Sequence, residues 1–253
     1  MGSYNPDTVS LPSGLRPAVD LAAALGEGHR DCLDPDILLE DEDIAKTNLE
    51  ENPITIYTDD ILRQDVSAYL AFVRRLAGLG LLSFTTTRRS RVAPFFVSKK
   101  KGKQRLVWDC RAANQLFRPP PGIDMGAAES LQRIVLETDE ELYCAQADVQ
   151  NCFYQCGLPA WISDYFAMDA VPGALAKELG FQNDVHGVPL DVSREVFPCL
   201  TVLPMGWSWA FWMVQRLHEQ ACMDCGFEAD DRLAGCCMAG AECFWKSGVF
   251  ALL

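Results

Sequence analysis

The sequence predicts an α+β protein, and three observations predict it. Apolar residues recur at helical spacing from Ile61 to Val73, before Gly78 and Gly80. Two short β-like runs, residues 92–97 and 105–108, flank the polar turn Lys100-Lys101-Gly102-Lys103. Strand-like and helix-like segments then alternate, with hairpins among them, as far as Phe227.

Taken in order, residues 1–56 read as an acidic, weakly ordered extension with a short helical stretch near residues 19–25. Convincing order begins at Thr58, a residue suited to cap a helix, with Asp59 and Asp60 in the first turn where the helix dipole favours them. One helix is expected from there to Gly78. The basic hairpin follows, then the Pro-rich connection "AANQLFRPPPGIDMG" and a helix over "GAAESLQRIVLE". A strand is expected over residues 142–149, with Asp148 near its end. "EVFPCLTVLPMG" reads as strand and turn, and "SWAFWMVQRLHEQACMDCGF" as a long helix, apolar on most faces and buried. Residues 228–253 have neither clean periodicity nor caps.

At 253 residues and 49% hydrophobic content, the chain has enough apolar surface for a substantial core. No apolar run approaches the ~20 residues that span a bilayer. "AYLAFVRRLAGLGLL" is broken by Arg74 and Arg75, and "MGSYNPD" has no secretory h-region. An intracellular protein without a membrane partner is expected, with nucleus and cytoplasm left open. Eleven scattered cysteines suit reduced thiols better than a disulfide scaffold. Cys222, Cys225, Cys236, Cys237 and Cys243 supply only half of a zinc-knuckle pattern, and small buried apolar side chains are the plainer reading. His29, His186 and His218 sit in no recognisable nucleophile context.

The net charge of −13 is unevenly distributed. Residues 1–60 hold 14 acidic and 3 basic side chains, whereas residues 85–118 hold ten basic ones against Asp109 alone. A local basic stripe is what meets phosphates, so the acidic whole does not exclude nucleic acid. A solvated charged hairpin accounts for the same charge equally well.

Lys100 and Arg105 flank the hairpin turn, where a point charge and a guanidinium fork suit a polyphosphate. Asp148 in "ADVQNCFYQ" ends an apolar run; alone, it reads best as a carboxylate accepting backbone N–H groups, and otherwise as a Mg²⁺ ligand together with the Val149 carbonyl. In "LPMGWSWA", Gly206 permits close approach to the backbone at the entry to a helix.

The order and spacing of "PFFVSKKKGKQRLVWDCRAAN", "ADVQNCFYQ" and "LPMGWSWA" resemble the fingers and palm of a retroelement reverse transcriptase, over roughly residues 61–225. The resemblance implies a right-hand polymerase fold with fingers in residues 57–125, a partial palm in 126–227 and a divergent tail in 228–253. It implies that Pro94 begins the fingers hairpin and that Lys100 and Arg105 hold the incoming triphosphate. Asp109, Arg111 and Asn114 would complete the fingers and template side. Asp148 would be the first catalytic carboxylate, sharing a Mg²⁺ (or Mn²⁺) with the Val149 carbonyl. Phe153 would exclude a 2′-hydroxyl, and Gly206 with the Pro204-Met205 turn would back the nucleotide and template. Many relatives carry Gln where this chain has Met205. The partners implied are an RNA template, a DNA primer and deoxynucleoside triphosphates, joined by attack of a primer 3′-hydroxyl on an α-phosphate.

The family's second carboxylate motif, an aromatic-x-Asp-Asp between apolar strands, is not matched. Asp230 and Asp231 follow Glu228 and Ala229 and lack such flanks. The resemblance therefore stops near Phe227, with no thumb, and implies a chain inactive by itself. The alternative expectation is a non-catalytic remnant that binds nucleic acid or a partner through the basic hairpin.

Overall fold

A computed structural model describes residues 2–14, 17, 19–123, 138, 141 and 148–228. The helix expected over residues 126–137, most of the strand before Asp148, and Asp230, Asp231, Cys236, Cys237 and Cys243 lie outside the described residues. The fold is mixed α and β: among the described residues there are eleven α-helices and three small sheets.

The hairpin forms close to where its sequence places it. Strands β4 (Ala93–Ser98) and β5 (Gln104–Asp109) pair antiparallel, with Ala93 opposite Asp109 and Ser98 opposite Gln104. Between them Lys101 and Gly102 both take positive φ, 62° and 68°, and the Lys99 N–H donates to the Lys103 carbonyl at 2.7 Å. Inward-facing Phe96, Leu106 and Trp108 are buried while Arg105 is exposed, the two-residue alternation of a half-buried hairpin.

The acidic N-terminal stretch is packed, contrary to the weakly ordered extension expected. Strand β1 (Val9–Ser10) adds to the outer edge of β5 in parallel. The Gln104 side chain accepts from Asn5 N and Thr8 Oγ1 and donates to the Ser3 carbonyl at 2.6 Å. Tyr4 is buried with its ring 5.5 Å from Phe72 and 5.0 Å from Phe96. Strand β2 (Val19–Asp20) leads into helix α1 (Leu21–Ala24), followed by α2 (Glu27–Arg30), α3 (Pro35–Leu38) and α4 (Glu42–Glu51). Asp20, Asp34 and Asp41 cap α1, α3 and α4 by accepting backbone N–H bonds. Part of the charge that suggests disorder is thus helix capping, and Leu21, Leu25 and Leu38 are fully buried.

Capping also corrects the single helix expected from Thr58. Asp59 caps α5 (Asp60–Gln64), and Asp65 ends it and caps α6 (Val66–Gly78) by accepting from Ser67 and Ala68 N–H. Thr58 instead accepts from Arg91 Nη2 at 2.9 Å. Gly80, at φ 68°, carries the chain out of α6 into β3 (Leu82–Thr85).

A short helix α7 (Arg111–Asn114) follows the hairpin, and α8 (Cys152–Gln155) leads into β6 (Cys156–Gly157), which pairs in parallel with β2. After α9 (Ala160–Ser163), Ala167 joins the sheets: its carbonyl accepts from Val92 N–H, and it bridges to Cys199. Strand β7 (Val171–Pro172), helix α10 (Gly173–Glu178) and strand β8 (Glu195–Leu200) follow, giving the sheet order β3-β8-β7. The last described helix, α11 (Ser208–Asp224), buries Trp209, Trp212 and Met213 on one face. Phe211 on the other face is exposed, so the helix is less enclosed than its composition suggests. Among the described residues no helix is long and apolar enough to cross a membrane.

Candidate nucleic-acid interface

The base of the hairpin is held by charge and by backbone. Asp109 is 5% exposed and accepts from Arg111 Nε at 2.8 Å and Nη2 at 2.7 Å, and from Tyr57 N–H at 2.7 Å. Arg111 also donates to the Thr55 carbonyl at 2.9 Å. Burial pushes the Asp109 carboxyl up, but the Arg111 fork and the two backbone N–H groups outweigh it and hold the group below its ordinary value. The Pro94 carbonyl accepts from Asp59 N–H at 3.0 Å. Arg91 forks onto Asp169 at 2.6 and 2.7 Å, and Arg118 lies 3.9 Å from Glu40 of the acidic N-terminal region.

The "LPMGW" turn docks directly on this base. Trp108 N–H donates to the Met205 carbonyl at 2.9 Å. Asn114 Nδ2 donates to the Gly206 carbonyl at 3.1 Å, and its Oδ1 accepts from Ser208 N–H at 3.0 Å, capping α11 from another part of the chain. Gly206 has φ 135°, and a Cβ there would fall 2.1 Å from the Trp108 carbonyl oxygen. The close approach that requires glycine is made by β5 itself.

The third motif joins the same framework. Leu203 N–H donates to the Cys156 carbonyl at 3.0 Å, and Leu158 N–H to the Thr201 carbonyl at 2.8 Å. Phe153 is partly buried against the core, and Asn151 before it takes φ 57°. Arg105 lies close enough to Tyr154 for its charge to favour the phenolate, against the larger effect of burial. Pro94, Asp109, Arg111, Asn114, Met205 and Gly206 therefore meet around the hairpin base, while Arg105 lies toward the tip and Phe153 packs against the core. The roles of Asp109, Arg111 and Asn114 visible here are as braces between segments.

The tip differs. Lys99, Lys100, Lys101, Lys103 and Arg105 are all exposed, and none has an acidic partner within 4.0 Å among the described residues. Five cations that meet no carboxylate among the described residues make a positive projection, suited to a polyanion.

Asp148 and Val149 are exposed, and Val149 lines a cleft of about 440 Å³ beside α8 and α11. Among the described residues no group of three or more His, Cys, Asp or Glu side chains is arranged to hold a metal ion. One carboxylate and one carbonyl do not fit a two-metal Mg²⁺ centre, which needs bridging carboxylates, so no catalytic step is assigned to Asp148. Sequence reasoning passed over Cys152 and found no nucleophile context for His218, yet the two meet across this cleft with sulfur and Nε2 3.9 Å apart. The Cys152-x-x-x-Cys156 spacing was the available signal, but its histidine comes from 66 residues away. No family model matches the chain, and no curated protein matches it.

Proposed function

We propose that this chain is a reverse-transcriptase-like fingers and partial palm that binds nucleic acid through its hairpin. The observation that carries the reading is the exposed cation cluster, without an acidic partner among the described residues, on a hairpin whose base is tied to the "LPMGW" turn. A rigid base lets the tip present its charge in a defined direction, and phosphate contacts from such a tip position a duplex without reading its sequence. The preferred partner is an RNA template or RNA–DNA hybrid, with RNA-directed DNA synthesis as the chemistry of intact relatives.

Fluorescence anisotropy with labelled hybrid duplex at increasing salt tests the binding. Affinity is expected to fall linearly on a log–log plot and to weaken when Lys100, Lys103 and Arg105 are replaced together. Undetectable or salt-independent binding sinks the proposal. Primer extension on an RNA template with Mg²⁺ tests activity separately. The expected result is no templated incorporation, because no group of three or more metal-ligating side chains is arranged to hold an ion among the described residues; incorporation abolished by Asp148→Asn would overturn that part and leave the binding intact.

A further inference from the structure

Cys152 opens α8 and lines the 440 Å³ cleft together with Cys156, His218, Gly26, Ala221 and Asp224. All seven described cysteines are free thiols. The His218 ring stands 3.9 Å from the Cys152 sulfur, and Cys156 Sγ donates to the Cys152 carbonyl at 3.5 Å. A second thiol four residues on, an imidazole and an open cavity thus meet beside one sulfur atom. A structural cysteine of this chain looks different: Cys110 is buried, and desolvation raises its thiol well above the ordinary range.

We infer that Cys152, Cys156 and His218 form a hydroperoxide-reactive thiol site, with Cys152 as the attacking nucleophile and Cys156 as the resolving thiol. The electrostatics agree. The neighbouring Cys156 thiol and the bond and charge of His218 bring the Cys152 thiol down to about 5, against burial and the opposing field of Asp148. The Cys156 thiol is raised, as a resolving thiol that keeps its proton until the second step. Asp224 is the carboxylate that lines the cleft itself.

The Cys152 sulfur attacks the terminal oxygen of a hydroperoxide and the O–O bond breaks. The departing alkoxide or hydroxide takes the His218 proton and leaves as alcohol or water. The sulfur becomes a sulfenic acid, oxidised by two electrons as the peroxide is reduced by two. Cys156 then attacks that sulfur: an S–S bond forms, the S–O bond breaks, and the hydroxyl leaves with the Cys156 proton as water. The site is independent of whether the hairpin binds nucleic acid.

The test is peptide mapping of the full chain after timed exposure to hydrogen peroxide, with exposed Cys225 as internal control. Cys152 should be oxidised about tenfold faster than Cys225 and appear linked to Cys156. In Cys156→Ser, dimedone should trap a sulfenic acid at Cys152. His218→Asn should slow Cys152 toward the Cys225 rate, with retained circular dichroism confirming the fold. Equal rates for Cys152 and Cys225 in the unaltered chain overturn the proposal without any variant. So do Cys152 found linked elsewhere and a Cys152 rate unaffected in folded His218→Asn.

Discussion

The two ends of one hairpin use the same kind of side chain for opposite purposes. At the base, Arg91 and Arg118 are paired with Asp169 and Glu40, two distant parts of the chain, and Arg111 with Asp109 at the end of β5 itself. At the tip, four lysines and Arg105 face solvent with no such partner among the described residues. In the sequence all of them merge into one basic stripe. The difference teaches that a run of charge has no single meaning: a cation paired with a carboxylate is part of the framework, and one without it is free to meet a ligand.

Variants sharpen this division, beginning with the largest expected effect. Gly206→Ala should cost at least about 4 kcal/mol, since it combines positive-φ strain with a clash against the Trp108 carbonyl. A urea unfolding midpoint close to the parent's would show that the base and the "LPMGW" turn are not locked together. Tyr4→Ala should cost about 3 kcal/mol by emptying the space against Phe72 and Phe96, and a neutral result would restore the N-terminal region as a mere extension.

Asp109→Asn should cost about 2 kcal/mol, because it weakens the Arg111 fork at a buried position. It should also alter the acid limb of stability. The folded Asp109 carboxyl lies below its unfolded value, so its contribution is complete above the unfolded value and is lost as pH falls through the folded one. The variant should therefore lose less stability than the parent between pH 5 and strongly acid conditions, read by thermal unfolding across that window. Identical pH profiles would remove Asp109 from the framework. At the tip, replacing Lys100, Lys103 and Arg105 with alanine should change stability by less than about 0.5 kcal/mol. The slope of log affinity against log salt should become shallower by about 2 to 3. A large stability loss with unchanged binding would invert the comparison.

Local features were the most legible in the sequence. The hairpin lies within a residue or two of its expected bounds, because alternating burial and a glycine-containing polar turn are properties of adjacent residues. The α11 helix was equally plain. Less legible was the meaning of aspartate. Asp20, Asp34, Asp41, Asp59 and Asp65 accept from nearby backbone N–H groups, yet a count of acidic side chains in an unfolded chain looks the same. Within the candidate site, the residues were visible but their partners were not. Asp109 was one member of a polar pattern until Tyr57 N–H and the Arg111 fork were seen to fill its lone pairs.

What the sequence by itself determined, then, is the basic hairpin with its tip, the long α11 helix and the three-motif order that suggests a polymerase-like core. Tertiary structure alone decided that Gly206 is required by a carbonyl of β5, that Asn114 caps a helix 94 residues away, and that Cys152 faces His218. The physical reason is range. Turn, cap and alternation preferences act over a few residues, whereas close backbone approach and the pairing of buried polar groups depend on which distant segments are folded together.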